Sequence, residues 1–243
     1  MCFTVALVRK NKLVTALDYY NDLPVKKKSD FELPEFYFVN GFSHPLLPVY
    51  TSEELILSEW GLIPSWVKNI ELANEIRNKT LNAMGETVFQ KPSFKNNIVS
   101  HRCLLPVTGF FEWQDRNGLK YPYFIELTDV EHFSLGAIFD IWTDFETGEN
   151  RHTFSIVTTQ ANPKMEKIHN LKKRMPLILS NEDEEKWLDN SLKISDVNKL
   201  IKPFPEEKMN AFTISRKAND GRINRNFPEI CEPENYSEMM ELF

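Results

Sequence analysis

The second residue of the chain, Cys2, is placed for a reaction that no internal cysteine can carry out. Removal of Met1 would leave Cys2 with a free α-amine next to its thiol. The amine condenses with an aldehyde to give an imine, and the thiol then adds to close a five-membered thiazolidine. An α-amine titrates at about 7.7–8.0 and a thiol at about 8.5, so both react near neutral pH. Alternatively, Cys2 is a small apolar residue that opens a strand.

Two acid–base residues lie in segments where they could assist such a reaction. Glu112 stands between Phe111 and Trp113, so in a strand it points to the face opposite to these aromatic rings. If that face is buried, the pKa of Glu112 rises and suits it to proton transfer, whereas on a solvent face it is an ordinary surface acid. His169 would act as an acid or base near neutral pH beside an aldehyde, or it is a structural histidine.

Asn82 is the fourth candidate, because its amide both donates and accepts hydrogen bonds. It lies at the end of a predicted helix. In a sugar-binding site it would orient a hydroxyl group. Alternatively it is the C-cap of that helix, which the nearby Gly85 would favour.

The charge balance limits the surface that could bind nucleic acid. The 243 residues carry a formal net charge of −6, whereas proteins that coat nucleic acid generally are basic. Any phosphate-binding surface is therefore local, and each basic run can also be a solvated face. The first candidate surface contains Lys164, Lys167, Lys172, Lys173 and Arg174, and the second contains Lys91, Lys95, His101 and Arg102.

Cysteine usage and hydrophobic runs predict the cellular setting. The three cysteines are odd in number and widely spaced, which favours a reducing compartment over a disulfide framework. No stretch approaches the ~20 apolar residues of a membrane span. We therefore expect a cytoplasmic protein that contacts no membrane. His101 and Cys103 form too small a cluster to predict a metal site, and no cofactor is expected.

Many short strands and few helices are predicted. Runs rich in β-branched or aromatic residues predict strands at 3–8, 36–39, 123–127, 133–141, 154–159 and 176–179. Helices are predicted at 51–57, 73–81, 163–169, 182–188 and 194–200. Because strands and helices do not alternate regularly, we expect an α+β fold, one domain over residues 1–243, with curved, mostly antiparallel, barrel-like sheets flanked by short helices.

Two local signals refine this assignment. Asn117 and Gly118 lie between two apolar runs, which predicts a hairpin with a type I′ turn. Asn181 is followed by Glu182, Asp183 and Glu184, so we predict that it is the N-cap of a helix whose first turn is acidic.

Taken together, the candidate segments resemble the SRAP family, the SOS response-associated peptidase-like proteins that process abasic sites in DNA. The resemblance rests on blocks in the family's order along most of the chain. They are Cys2 behind Met1; Trp60-Gly61-Leu62-Ile63-Pro64-Ser65-Trp66; Asn82-Ala83 with Glu86-Thr87; Arg102-Cys103-Leu104 with Pro106; Gly109-Phe110-Phe111-Glu112-Trp113; Thr158-Thr159 with Ala161-Asn162; and His169 with Arg174-Met175-Pro176.

The resemblance implies a covalent DNA-binding activity. Family members bind single-stranded DNA, or junctions such as those at replication forks, that contain an abasic site, and they crosslink it through the N-terminal cysteine. By matching position, Cys2 is the nucleophile and Asn82 holds the sugar. Glu112 shuttles protons, and His169 assists ring opening and release. The activity is lyase-like, and the peptidase of the family name would be limited to unmasking Cys2.

The resemblance also implies the DNA contacts. Because an abasic site has no base to read, binding should use phosphates and the stacking of neighbouring bases. We expect Trp66 and Trp113 to stack on bases, with core burial as the alternative, and Trp60 to be in the core. Lys172, Lys173 and Arg174 are expected to contact phosphates. We expect a monomer that associates with the nucleoid during repair.

The chain departs from the family pattern at three places. Met84 stands where the family has an arginine that touches the DNA backbone. Leu171, Lys172 and Lys173 lengthen the usual spacing between His169 and Arg174. His101 also replaces a frequent arginine. The first and third changes reduce positive charge, and the two added lysines could restore it.

Two other functions remain open at this point. An N-terminal nucleophile amidohydrolase also uses the α-amine of an exposed cysteine as its base. Glutamine amidotransferases of that kind, however, have glycine after the cysteine, and this chain has Phe3. The other alternative is a non-covalent reader of damaged or modified DNA, in which Cys2 is inert. Dependence on an aldehyde would separate this reader from a crosslinking protein.

Overall fold

The computed structural model describes residues 2–8 and 36–240. Met1, whose removal is expected from the sequence, lies outside this part of the chain. The described strands are β1 (Thr4–Ala6), β2 (Val39–Asn40), β3 (Leu46–Tyr50), β4 (Leu55–Trp60), β5 (Asn82–Met84), β6 (Arg102–Val107), β7 (Gly109–Arg116), β8 (Leu119–Leu127), β9 (Phe133–Thr143), β10 (Asn150–Gln160), β11 (Arg174–Pro176), β12 (Ile178–Leu179) and β13 (Met209–Thr213).

Five of these strands close into a barrel. Around it, β3 pairs with β4, β4 with β10, β10 with β9, β9 with β6, and β6 with β3. Each pairing is antiparallel except that of β4 with β10, which is parallel. Strands β5 and β11 extend the barrel beside β10, and β12 extends it beside β9.

The second sheet is antiparallel and has the order β13-β8-β7-β1-β2. The β7–β8 hairpin turns at Asn117 and Gly118, which have φ angles of 52° and 84°. Positive φ at both central residues is the requirement of the type I′ turn, so this prediction is confirmed. The sheet carries Cys2 just before β1 and Glu112 on β7.

Short helices cover the sheets. They are α1 (Ile70–Arg77), α2 (Asn97–Ser100), α3 (Pro163–Ile168), α4 (Asn181–Leu188), α5 (Ile194–Leu200) and α6 (Ser237–Met240). Strand β10 shows how the layers pack: Phe154 and Ile156 belong to one buried apolar cluster, and Val157 belongs to another that includes Trp187 of α4. This alternation follows from the two faces of a strand.

The predicted α+β fold with curved, barrel-like sheets is confirmed. The three helices predicted at 163–169, 182–188 and 194–200 correspond to α3, α4 and α5. The six predicted strand runs overlap with strands, although β1 and β2 are shorter than predicted and the run at 176–179 is divided between β11 and β12. Trp60 is fully buried, as expected.

Three local predictions were wrong. Residues 51–57 form a turn and the start of β4 rather than a helix, because the Thr51 hydroxyl accepts the backbone N–H of Glu54 and closes the turn. The helix predicted at 73–81 is α1, which starts and ends earlier, and Asn82 is therefore a strand residue rather than a helix C-cap. The N-cap of α4 is Ser180 instead of Asn181.

The prediction that Arg102 belongs to a phosphate-binding surface was also wrong. Its side chain is buried, with 2% of the residue exposed. The guanidinium donates to backbone carbonyls at the ends of two helices: those of Ile98, Val99, Trp187 and Asp189. Arg102 therefore joins α2 to α4 from inside the protein, because a guanidinium has donors enough for several carbonyls.

The described part of the chain contains no helix of the length and apolar character needed to cross a membrane.

Candidate active site

Cys2 is fully buried and lies two residues before Thr4, where β1 of the second sheet begins. It belongs to the same apolar cluster as Leu81, Ile168 and Met175. These three residues directly precede or follow the predicted site residues Asn82, His169 and Arg174 in the chain. The fold thus brings the segments that carry these site residues into one apolar cluster with Cys2.

Glu112 lies on β7, which pairs with β1 so that Val5 is opposite Phe110. The antiparallel register brings the residues before Val5 alongside those that follow Phe110. Glu112 is buried, so its carboxyl group faces inward. Burial raises the pKa of Glu112 to about 7, against lowering by the backbone N–H of Trp113 and the charge of Lys172.

The thiol of Cys2 is held as the neutral acid. Burial raises its pKa well above the ordinary range, and the negative charge of Glu112 raises it further. The Sγ atom lies 3.8 Å from the carbonyl oxygen of Thr4. Because the thiolate is the nucleophile, reaction at Cys2 would need a nearby base to accept the thiol proton.

His169 is the C-cap of α3 and lies 3.7 Å, Nδ1 to Oε1, from Glu112. Its Nδ1 lies 2.9 Å from the carbonyl oxygen of Arg174, and a carbonyl can only accept. The neutral ring therefore carries its proton on Nδ1 and presents Nε2 as an acceptor. Burial lowers the pKa of His169 to about 4, and the charges of Lys172 and Arg174 lower it as well.

A clamp of hydrogen bonds holds the turn after α3 against β7. The side chain of Asn170 donates to the Asp115 carbonyl at 2.7 Å and accepts the Asp115 N–H at 3.1 Å. The side chain of Gln114 donates to the Lys167 carbonyl at 2.7 Å. The clamp therefore joins the two elements that carry His169 and Glu112, whose side chains are 3.7 Å apart.

Asn82 begins β5, where it pairs with Ile156 of β10. It is 7% exposed, and neither of its amide atoms has a hydrogen-bond partner among the described residues. Such a buried amide costs free energy unless a ligand satisfies it. It lines a surface groove of about 450 Å³, together with Lys91 and Phe42.

Arg174 is buried, and its guanidinium is bonded within the protein. It lies 2.5 Å from Glu86 and donates to the backbone carbonyl and hydroxyl of Thr158 at 2.8 and 3.0 Å. These bonds fix the backbone of Arg174, whose carbonyl oxygen accepts the proton of His169. A phosphate contact at Arg174 stays a prediction. The described bonds indicate instead that Arg174 holds His169 in position.

The other predicted DNA-binding residues lie in three different segments of the fold. Trp113 is partly buried on β7, and its indole N–H donates to Asn219 at 2.6 Å. Trp66 is half exposed on the segment before α1, where the neighbouring Ser65 is bonded to Asp140 of β9. Lys172 and Lys173 are exposed on the turn after His169.

Three contributors to this region were given no role from the sequence: Glu86, Asn170 and Phe42. Each acts through contacts with residues distant in the chain, as in the pairing of Asn170 with Asp115. Only Phe42 left a local signal, since it follows Asn40-Gly41, a turn-forming pair. No group of three or more His, Cys, Asp or Glu side chains in the described part of the chain is arranged to hold a metal ion.

Comparison with known proteins decides the family. The model of the family described as SOS response associated peptidase (SRAP) matches residues 1–221 of the chain. This chain is a member of the SRAP family. The resemblance found in the sequence is thereby confirmed.

Two relatives illustrate the range of the SRAP family. The chain is 32% identical over 232 residues to "Abasic site processing protein YoqW" of Bacillus subtilis, which covers 90% of this chain and 97% of that protein. It is 34% identical over 175 residues to "Abasic site processing protein HMCES" of Gallus gallus, which covers 63% of this chain and 51% of that protein.

Solved structures share the fold. A crystal structure of a Bacteroides thetaiotaomicron protein superposes with a TM-score of 0.87 at 41% sequence identity, covering 96% of this chain and 100% of that one. A Bordetella bronchiseptica protein superposes with a TM-score of 0.74 at 20% identity over 88% of this chain and 100% of that one, which shows the fold alone.

Proposed function

We propose that this SRAP protein processes abasic sites in single-stranded DNA by forming a thiazolidine crosslink through Cys2. The names of its relatives support the substrate class. The observation that carries the chemistry is the convergence of a buried Cys2 with Glu112 and His169, whose carboxylate and imidazole are 3.7 Å apart. Such a group of titratable residues with shifted pKa values is typical of a reactive site.

The proposed reaction joins two atoms of Cys2 to one carbon of the sugar. After Met1 is removed, the α-amine attacks C1′ of the ring-opened deoxyribose, and the carbinolamine loses water to give an imine. The thiol sulfur then adds to the imine carbon, and the thiol proton passes to the nitrogen. The net change is the formation of C–N and C–S bonds and the loss of one water.

Glu112 is the proposed proton carrier in both steps. With a pKa of about 7, it is present as acid and as carboxylate at neutral pH. The acid would protonate the departing hydroxyl of the carbinolamine, and the carboxylate would accept the thiol proton. This second role is needed because burial keeps the thiol protonated.

His169 and Asn82 are proposed to act on the sugar. The neutral His169 presents Nε2 as an acceptor, which suits it to take a proton from a sugar hydroxyl during ring opening. The amide of Asn82 has both a donor and an acceptor without partners among the described residues, and a sugar hydroxyl would satisfy them. We therefore propose that Asn82 holds the ring-opened sugar beside Cys2.

The DNA contacts and the peptidase activity extend this proposal. The exposed side chains of Lys172 and Lys173 would bind phosphates, and Trp66 and Trp113 would stack on bases. The peptidase activity in the family name would act on the chain's own Met1–Cys2 bond, which must be cleaved before Cys2 has a free amine. The crosslink would protect the strand at the lesion.

The experiment uses two oligonucleotides that differ in one group. Protein that begins at Cys2 is mixed with a single strand containing either one abasic aldehyde or its tetrahydrofuran analogue, which has no aldehyde. On a denaturing gel, the proposal expects a slowly migrating adduct only with the aldehyde. Absence of that adduct would contradict the crosslinking function.

The same experiment separates the alternative functions. A non-covalent reader would bind both oligonucleotides in a native gel and give no adduct in the denaturing gel. An amidohydrolase would bind neither preferentially and would release ammonia from an amide such as glutamine. Phe3 after Cys2 favours the sugar-binding function over this one, as does the amide of Asn82, which has no hydrogen-bond partner among the described residues.

A further inference from the structure

Two surface grooves meet at one pair of aromatic rings, those of Phe3 and Phe42. The ring centroids are 5.0 Å apart, and both residues line each groove. The first groove, of about 450 Å³, contains Asn82. The second, of about 520 Å³, contains Trp113. The ring pair therefore forms the ridge between the grooves, one residue away from Cys2.

Phe42 is exposed although its backbone is tightly held. The residue is 54% exposed. Its N–H donates to the side chain of Asn40 at 2.9 Å, and the N–H of His44 donates to the Gly41 carbonyl at 2.9 Å. The Gly41 N–H in turn donates to the Phe3 carbonyl at 2.8 Å, so the turn is joined to the segment that carries Cys2.

The turn also rests on the core. A Cβ atom at Gly41 would lie 3.0 Å from the ring of Trp60. Trp60 is fully buried and its indole N–H donates to the Leu81 carbonyl at 2.8 Å. The turn has no room to move inward, so Phe42 is presented to solvent by a rigid support. A ring held in this way loses little conformational entropy when a ligand binds.

Basic side chains lie along both grooves. Lys79 and Lys91 line the first, and Lys120 and Arg225 line the second. None of the residues described along either groove is acidic, although Lys79 and Lys120 also pair with Glu75 and Asp115 nearby. A polyanion could therefore pass from one groove to the other across the ring pair.

We propose that the Phe3–Phe42 pair is a stacking platform for the nucleobase next to the abasic position. The inference rests on the proposed function, because it places the lesion at Cys2. The missing base leaves its neighbour without a stacking partner on one side, and an aromatic face replaces that partner. Stacking of this kind tolerates any base. Phe42 is the residue to test, since Phe3 also packs against the core.

The test separates base stacking from crosslinking. The probe is a single strand in which 2-aminopurine, whose emission reports stacking, adjoins a tetrahydrofuran site that cannot react. Phe42→Ala should weaken binding of this probe about 5- to 150-fold and abolish the change in emission, while Phe42→Tyr retains both. The matched control is Phe145→Ala, which removes a ring that is 63% exposed in the turn between β9 and β10.

Each outcome has a definite meaning. If Phe42→Ala binds the probe as tightly as Phe145→Ala, with the same emission, the platform is overturned. The same holds if the wild-type protein does not bind the probe. If the emission responds as expected but the wild-type protein forms no adduct with an abasic aldehyde, the platform stands and the crosslinking function is overturned.

Discussion

The imidazole of His169 lies 3.7 Å from the carboxyl group of Glu112, and burial shifts the pKa values of these two groups in opposite directions. The pKa of Glu112 rises to about 7, and that of His169 falls to about 4. Burial disfavours the charged form of each group. Both are therefore mainly neutral between these two values, and Glu112 is the one that changes its protonation near physiological pH.

The rate of crosslinking should depend on the ionisation of Glu112. Wild-type protein should show an inflection in the pH–rate profile near the pKa of Glu112, about 7. Glu112→Gln cannot transfer a proton. We therefore expect its rate to fall by a factor of about 10² or more, with no such inflection. Rates measured from pH 5 to 9 with an abasic oligonucleotide test this. Glu149→Gln, on an exposed turn, is the control, and an unchanged profile in Glu112→Gln would make Glu112 structural.

The same residue should make stability depend on pH. Its pKa in the folded state, about 7, is above the ordinary value of 4.5. The contribution of Glu112 to the free energy of unfolding is therefore fully present below pH 4.5 and is lost as the pH rises through 7. Glu112→Gln should equal the wild type at pH 4.5 and exceed it above pH 8 by on the order of 3 kcal/mol. Urea unfolding at both pH values measures this, and an equal difference at both would refute the burial of an ionising carboxyl group.

Loss of the clamp at Asn170 should loosen His169 without unfolding the protein. In Asn170→Ala both hydrogen bonds to the Asp115 backbone are lost. Water should then reach the imidazole, and the pKa of His169 should rise from about 4 towards its ordinary value of about 6.5. An NMR titration of the ring measures this pKa directly, and the crosslinking rate should fall.

The control for the clamp is Asn150→Ala, which removes a hydrogen bond from Thr143 in the β9–β10 hairpin. It should leave the titration of His169 and the rate unchanged. If Asn170→Ala also leaves both unchanged, the separation of His169 from Glu112 is set by packing instead of by the clamp.

The turn lysines should contribute to DNA binding by unequal amounts. The charge of Lys172 acts on both Glu112 and His169, whereas the ammonium of Lys173 lies 3.8 Å from Glu166. Lys172→Glu should therefore weaken binding and flatten its salt dependence more than Lys173→Glu does. Lys199→Glu, on α5, is the control. Identical salt slopes in all three variants would remove this turn from the interface.

The sequence predicted the parts of the fold that local signals determine. Asn117 and Gly118 predict a tight hairpin because both must adopt positive φ, and the apolar spacing of 194–200 predicts α5. The segment 51–57 shows the limit: its residues are compatible with a helix, but pairing of β4 with β3 and β10 determines a strand.

Candidate residues for the site could be named from the sequence, whereas their geometry could not. Whether Glu112 faces inward depends on β1, which pairs with β7 from a distant part of the sequence. Asn82 was assigned to a helix end because its pairing with Ile156 leaves no local signal. The bonds of Arg174 to Glu86 and Thr158 are equally non-local. Such contacts are visible only in three dimensions.

Intact-protein mass spectrometry tests the central claim most directly. Protein whose mass shows that it begins at Cys2 is mixed with a single-stranded oligonucleotide carrying one abasic aldehyde. We expect a stable species with the summed mass minus one water, retained in Cys231→Ala and absent from Cys2→Ala. No such species from the wild-type protein, or its persistence in Cys2→Ala, would contradict crosslinking through the N-terminal cysteine.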